Sequence, residues 1–118
     1  MNIRIAEEGQ WHRFTMLEEE ERTGAMFFPK VEGVLERIKG MIENKKGACI
    51  LFDLLAIDTI DTSIITVIVH TTQMAGVSRV GIRVSQPDVV NRLSLLGLDK
   101  LAEIFVSEEA WRNRQTKP

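Results

Sequence analysis

The stretch over residues 58–75 constrains the fold most strongly, because hydroxyl and carboxylate side chains directly precede the most apolar run of the chain. Its β-branched residues favour a strand, but such a strand would far exceed the usual length of about five to six residues. Polar side chains are spaced four, four and three positions apart, at Thr62, Thr66, His70 and Gln73. That spacing follows one side of an α-helix, so we predict a helix over residues 62–75.

Short apolar runs before and after this helix have the pattern of strands. Residues 48–54 form an apolar run without a helical period, which is typical of a strand buried on both faces. Residues 78–85 form a second short strand. Two parallel strands are joined by a crossover of about a dozen residues, normally a helix, and the helix over 62–75 fits that requirement.

The rest of the chain continues the alternation of strands and helices. Strands are predicted over 2–6, 12–17 and 102–106, and helices over 31–42, 86–97 and a short C-terminal segment that begins after Ser107. Pro87 suits the first position of its helix, and Ser107 suits a helix cap. The polar residues 112–118 are expected to fray. Alternating strands and helices indicate an α/β fold with parallel pairings.

Length and charge limit what the protein can be. A chain of 118 residues suggests a single domain over 1–118. The net charge of −2 gives no sign of a nucleic-acid footprint. No apolar stretch approaches the ~20 residues needed to span a membrane, and the first residues lack a signal-peptide pattern. We therefore expect a cytoplasmic protein with neither nucleic acid nor membrane as a partner.

The sequence offers no constellation of residues for catalysis or metal binding. Cys49 is the single cysteine, and its apolar surroundings indicate a small buried side chain. His12 and His70 have no zinc-ligand spacing with Cys49 or with the carboxylates, and His70 on the polar stripe is expected at the surface. No glycine-rich phosphate loop is present. We expect no catalytic residue, no metal and no cofactor.

The start of the helix over 62–75 carries the polar side chains that need an explanation. Asp61 is a good N-cap, and Thr62 and Ser63 occupy the first turn. A carboxylate there accepts unpaired backbone N–H groups and favours the positive end of the helix dipole. Two interpretations stay open from this segment alone: a helix cap and nothing more, or a surface for binding and modification.

Residues 48–111 resemble the STAS domain, which sulfate transporters and bacterial anti-sigma-factor antagonists share. A hydrophobic strand ends in Asp53-Leu54, and Asp61-Thr62-Ser63 opens a helix. The segments "VGIRV", "LLGLDKL", "IFV" and "SEEAW" follow in the order and spacing of the family. The resemblance implies a STAS-like α/β fold, with a mixed sheet of four to five strands and helices packed mainly on one side.

The resemblance also implies a function in binding and not in catalysis. Antagonist members dock onto an anti-sigma factor that is also a serine/threonine kinase of the histidine-kinase-like ATPase fold. That kinase phosphorylates the first hydroxyl residue after the aspartate of the motif, and a phosphatase reverses the reaction. The matching acceptor is Thr62, with Ser63 as the second choice. The side chains expected to contact the partner are Asp58, Asp61, Ser63, Thr66 and His70.

The sequence departs from the family pattern after the acceptor. Ile64 stands where the family usually has glycine, and Thr62 stands where soluble antagonists most often have serine. Glycine-free versions resemble the STAS domains of the stressosome, a large stress-signalling scaffold. A scaffold subunit or a stand-alone binding module without phosphorylation is therefore the alternative function.

A more remote alternative is a phosphoaspartate receiver domain. Glu7 and Glu8 follow a first strand, Asp53 ends a later one, and Ser85 closes the next. A receiver would place a lysine after its last strand, where this chain has Ser107. It would also place a helix between its first two strands, and residues 9–20 do not have a helical pattern.

Overall fold

The computed structural model describes residues 2–17, 26–27, 30–43, 47–55, 57, 60 and 62–115. The strands are β1 (Asn2–Glu8), β2 (Trp11–Leu17), β3 (Met26–Phe27), β4 (Ala48–Asp53), β5 (Val77–Arg83) and β6 (Glu103–Phe105). The helices are α1 (Val31–Ile42), α2 (Thr62–Thr72), α3 (Pro87–Leu95) and α4 (Glu108–Gln115), and a 3₁₀ turn spans Leu98–Lys100.

The described strands form one mixed sheet in the order β3-β1-β2-β4-β5-β6. β1 pairs antiparallel with β2 and with β3, whereas the pairs β2–β4, β4–β5 and β5–β6 are parallel. The predicted α/β class with a mixed sheet is confirmed. The sheet exceeds the expected four to five strands because the two-residue strand β3 adds to the edge of β1.

The two faces of the sheet are covered unequally. Helices α1, α2 and α3 pack on one face, against alternate strand residues that include Phe14, Ile50, Phe52 and Ile82. Helix α4 packs on the other face, where Trp111 joins a smaller apolar cluster of Trp11, Cys49, Leu51 and Phe105. Helices therefore lie mainly on one side, as expected, and α4 is the exception.

Helix α2 confirms that periodicity outweighs β propensity in this part of the chain. Its buried side chains are Ile64, Val67, Ile68 and Thr71, and its exposed side carries the predicted polar stripe. Hydroxyls inside the helix donate to the carbonyl oxygens one turn back. Thr66 Oγ1 lies 2.8 Å from the Thr62 oxygen, and Thr71 Oγ1 lies 2.7 Å from the Val67 oxygen. This internal bonding lets threonines sit in a helix without unsatisfied polar groups.

The remaining helix boundaries follow the predicted start signals. Helix α1 has the predicted bounds, and α3 begins at Pro87. Ser107 caps α4, because the Ala110 amide donates to Ser107 Oγ over 3.0 Å. The prediction that residues 112–118 fray is wrong for residues 112–115, because α4 continues through Gln115, and residues 116–118 lie outside the described residues.

Gly81 lets the ring of Phe105 pack closely against β5 on the α4 face of the sheet. A Cβ at this position would lie 2.8 Å from Phe105 Cε2 and 3.1 Å from Leu51 Cδ1. The first distance is shorter than carbon atoms tolerate without movement, so glycine is required for Phe105 to pack over the middle of β5.

Among the described residues, no helix is both long and apolar enough to cross a membrane.

Candidate functional site

The first turn of α2 places the predicted phosphoacceptor at the surface. Thr62 is the first residue of the helix and is exposed, while Ser63 is half-buried. Ile64, one residue further, is only 5% exposed and belongs to the core. The change from hydroxyls to isoleucines is therefore the boundary between the surface of the protein and its interior.

Buried side chains hold the chain on both sides of Thr62. Leu54 and Ile57 follow β4 and are buried in the main core, as is Ile60, which is 3% exposed. Ile64 is buried on the opposite side of the acceptor. Thr62 is therefore an exposed residue between two residues, Ile60 and Ile64, that are buried in the core.

The other predicted contact residues lie partly on the same surface. Thr66 is half-buried one turn beyond Thr62, and His70 is exposed one turn beyond Thr66. Thr62, Thr66 and His70 thus follow one side of α2, as their spacing predicts. The predicted contacts Asp58 and Asp61, including the Asp61 cap, lie outside the described residues.

A second group of polar residues, which was not predicted from the sequence, lies on the α4 face of the sheet. Asp53 ends β4 and is 3% exposed. Its Oδ2 accepts hydrogen bonds from Arg13 Nη2 over 2.8 Å and from Arg83 Nη2 over 2.6 Å. Glu108 of α4 completes the group, because its Oε1 accepts from Arg13 Nη2 over 3.0 Å and pairs with Arg83 Nη1. We call these four residues the charge cluster.

The comparison with known families agrees with this geometry. The family model of the STAS domain matches residues 21–110. This chain is a STAS-domain protein. The match extends further towards the N-terminus than the motifs over 48–111 indicated, and no significant match to a curated protein was found.

STAS domains are in general binding domains without enzymatic activity, and the arrangement of charges in this one is consistent with a binding role. Every oxygen of the Asp53 carboxylate already accepts hydrogen bonds from arginine side chains or from the backbone. Among the described residues, no three His, Cys, Asp or Glu side chains come together in a way that could hold a metal ion.

The charge cluster of this STAS domain shifts two pKa values in directions that strengthen the ion pairs. Burial alone would lower the pKa of Arg13, but hydrogen bonds to Asp53 and Glu8 outweigh it and raise that pKa. Burial alone would raise the pKa of Glu108, but hydrogen bonds from Arg83 and Arg13 outweigh it and lower that pKa. Both groups are therefore charged throughout the physiological range.

The structure contradicts the phosphoaspartate receiver alternative. The chain after β1 turns back as the antiparallel strand β2, so the helix that a receiver needs at this position is replaced by a strand. Asp53, the acceptor in that interpretation, is buried and held by Arg13 and Arg83. A carboxylate in this environment is not accessible to a phosphoryl donor.

Proposed function

We propose that this STAS domain is an anti-sigma-factor antagonist. It binds a serine/threonine kinase of the histidine-kinase-like ATPase fold, the anti-sigma factor, through the exposed start of α2. Phosphorylation of Thr62 by that kinase switches the interaction off, and a phosphatase restores it. The single observation that carries the proposal is the placement of Thr62, exposed at the first position of α2 between the buried Ile60 and Ile64.

A phosphate at Thr62 would change the surface without disturbing the fold. It adds about −1.5 to −2 charges at pH 7, and the start of a helix accommodates an anion because its backbone N–H groups are unpaired. No acidic residue lies in the first turn of α2 itself, and Asp61 comes directly before it in the sequence, so the phosphate would add to the charge of a neighbouring carboxylate. A partner fitted to a neutral hydroxyl meets this new charge directly. A loss of about 2.8 kcal/mol of binding free energy weakens binding a hundredfold.

The isoleucine that replaces the family glycine supports the same proposal. Ile64 is buried in the core beneath the first turn and does not add bulk to the exposed side of α2. The departure from the family pattern therefore changes the packing under the acceptor, while Thr62 itself stays exposed.

The proposal is tested by measuring the affinity of the kinase for three forms of the protein by calorimetry. The forms are wild type, Thr62→Glu and, as the matched control, Gln73→Glu, which places the same charge at an exposed position beyond the end of α2. Thr62→Glu is expected to weaken binding by tenfold or more, about 1.4 kcal/mol, and Gln73→Glu by much less. Equal affinities for all three forms would contradict a contact at the start of α2.

The alternative function, a scaffold subunit or a stand-alone binding module, has one observation in its favour. Large apolar side chains are exposed within residues 95–106, namely Leu95, Leu96, Leu101 and Val106. Exposed apolar groups of this kind mark contact surfaces between proteins. Analytical ultracentrifugation separates the two functions, since an antagonist is expected as a small species and a scaffold subunit as part of a large assembly.

A further inference from the structure

Asp53 connects two parts of the molecule through its two carboxylate oxygens. Oδ2 accepts from Arg13 Nη2 and Arg83 Nη2, which come from the neighbouring strands β2 and β5. Oδ1 accepts from the Leu55 amide over 3.1 Å, at the start of the segment that leads from β4 to Thr62. One buried side chain therefore fixes both the arginines and the first turn of the chain on its way to α2.

Helix α4 reaches the same carboxylate through the arginines. Glu108 binds Arg13 and Arg83, the same two guanidinium groups that bind Asp53. The buried Arg83 Nη1 pairs with Glu108. If Glu108 moves away, Arg83 Nη1 must find another partner, and the bonds of Arg83 to Asp53 change with it.

Helix α4 is short and is held in place by side-chain contacts. It is eight residues long, and isolated helices of that length are unstable in water. Trp111 is fully buried and meets Trp11 edge to face at 6.2 Å between ring centroids. Glu108 forms ion pairs within the charge cluster, and Arg112 Nη2 lies 3.3 Å from Glu8 Oε1. A short helix that depends on such contacts can open locally when they are removed.

We propose that α4 is a regulatory element that controls the segment before Thr62. While α4 is docked, Glu108 holds Arg13 and Arg83 on Asp53, and Asp53 holds the Leu55 amide. Release of α4 removes one carboxylate from the charge cluster, redirects Arg83 and loosens the turn at Leu55. This coupling between Glu108 and the Leu55 amide depends only on the contacts within the fold. Its consequence, that Thr62 is presented differently to a kinase, rests on the proposed function.

The coupling is tested by amide hydrogen exchange measured by NMR on Glu108→Gln, with Glu109→Gln as the matched control. Glu109 is exposed on the same turn of α4 and differs from Glu108 in lying outside the charge cluster. In Glu108→Gln the Leu55 amide is expected to exchange about tenfold faster, which equals about 1.4 kcal/mol of opening free energy. The Phe52 amide, in the centre of the sheet, should change much less, and Glu109→Gln should change neither.

Two results would overturn the coupling. One is a Leu55 amide that exchanges at the wild-type rate in Glu108→Gln, and the other is equal acceleration at Leu55 and Phe52, which would show global destabilisation. If Glu108→Gln does not fold, Glu108→Asp retains the charge and retracts it by one methylene, and a smaller acceleration at Leu55 is expected. The experiment uses no kinase, so absence of phosphorylation at Thr62 would contradict the proposed function and leave the coupling intact.

Discussion

Arg83 Nη2 donates to Asp53 Oδ2 over 2.6 Å, and both side chains are almost completely buried. The two residues lie side by side on the parallel strands β4 and β5. Arg13, from the strand on the other side of β4, donates to the same oxygen. A buried carboxylate is stable only when its charge is balanced in this way, so the charge cluster joins three strands around one anion.

Removal of the central carboxylate is expected to destabilise the fold strongly. Asp53→Ala leaves the partly exposed Glu108 as the only carboxylate that Arg13 and Arg83 share among the described residues, and removing one partner from a buried ion pair costs about 3–5 kcal/mol. Urea unfolding at pH 7 measures the loss, with Asp99→Ala, at an exposed position in the 3₁₀ turn, as the control. A loss for Asp53→Ala no greater than that for Asp99→Ala would show that the cluster contributes little to stability.

Two glycine substitutions are expected to change stability in opposite directions. Gly81→Ala forces a methyl group against Phe105 in the sheet, which should cost about 1–3 kcal/mol. Gly40→Ala, inside α1, meets open space and should stabilise by about 0.4–1 kcal/mol. Thermal unfolding of both variants checks the prediction, and a Gly81→Ala protein as stable as wild type would contradict the close approach of Phe105 to β5.

The pH dependence of stability follows from the lowered pKa of Glu108. A carboxyl group whose pKa is lower in the folded state contributes stability above the pKa of the unfolded chain and loses it as the pH falls through the folded pKa. The contribution of Glu108 should therefore be present at pH 7 and decline as the pH falls below about 4.3, the ordinary value of a glutamate. Burial opposes this shift and hydrogen bonds from Arg83 and Arg13 cause it.

Unfolding midpoints at pH 7 and pH 3 test this for wild type, Glu108→Gln and the control Glu109→Gln. The difference between wild type and Glu108→Gln should be larger at pH 7 than at pH 3, whereas Glu109→Gln should stay close to wild type at both. A Glu108→Gln difference that grows as the pH falls would contradict the direction of the shift.

Much of the fold could be predicted because local patterns agree with tertiary demands. The stripe formed by Thr62, Thr66 and His70 indicates a helix, and the need for a crossover between two parallel strands indicates the same. Pro87 and Ser107 mark helix starts through local chemistry that needs no knowledge of the rest of the molecule. The exposed position of Thr62 follows from the same helical stripe.

The charge cluster could not be predicted, because it depends on how strands are aligned. Arg13 and Arg83 carry charges within largely apolar strands, but their common partner becomes evident only from the parallel register of β2, β4 and β5. The position of α4 on the opposite face of the sheet likewise depends on Trp111 meeting Trp11, a contact between residues at opposite ends of the chain.

Mapping of the phosphorylated residue tests the central claim, that Thr62 is the switch of this STAS domain. Wild type, Thr62→Ala and Ser63→Ala are incubated with ATP and the kinase, and the modified residue is located by mass spectrometry of peptides. The account predicts one phosphoryl group on Thr62 in wild type, the same in Ser63→Ala, and none in Thr62→Ala. A wild-type protein that binds the kinase and stays unmodified, or a Thr62→Ala protein that is still phosphorylated, would contradict it.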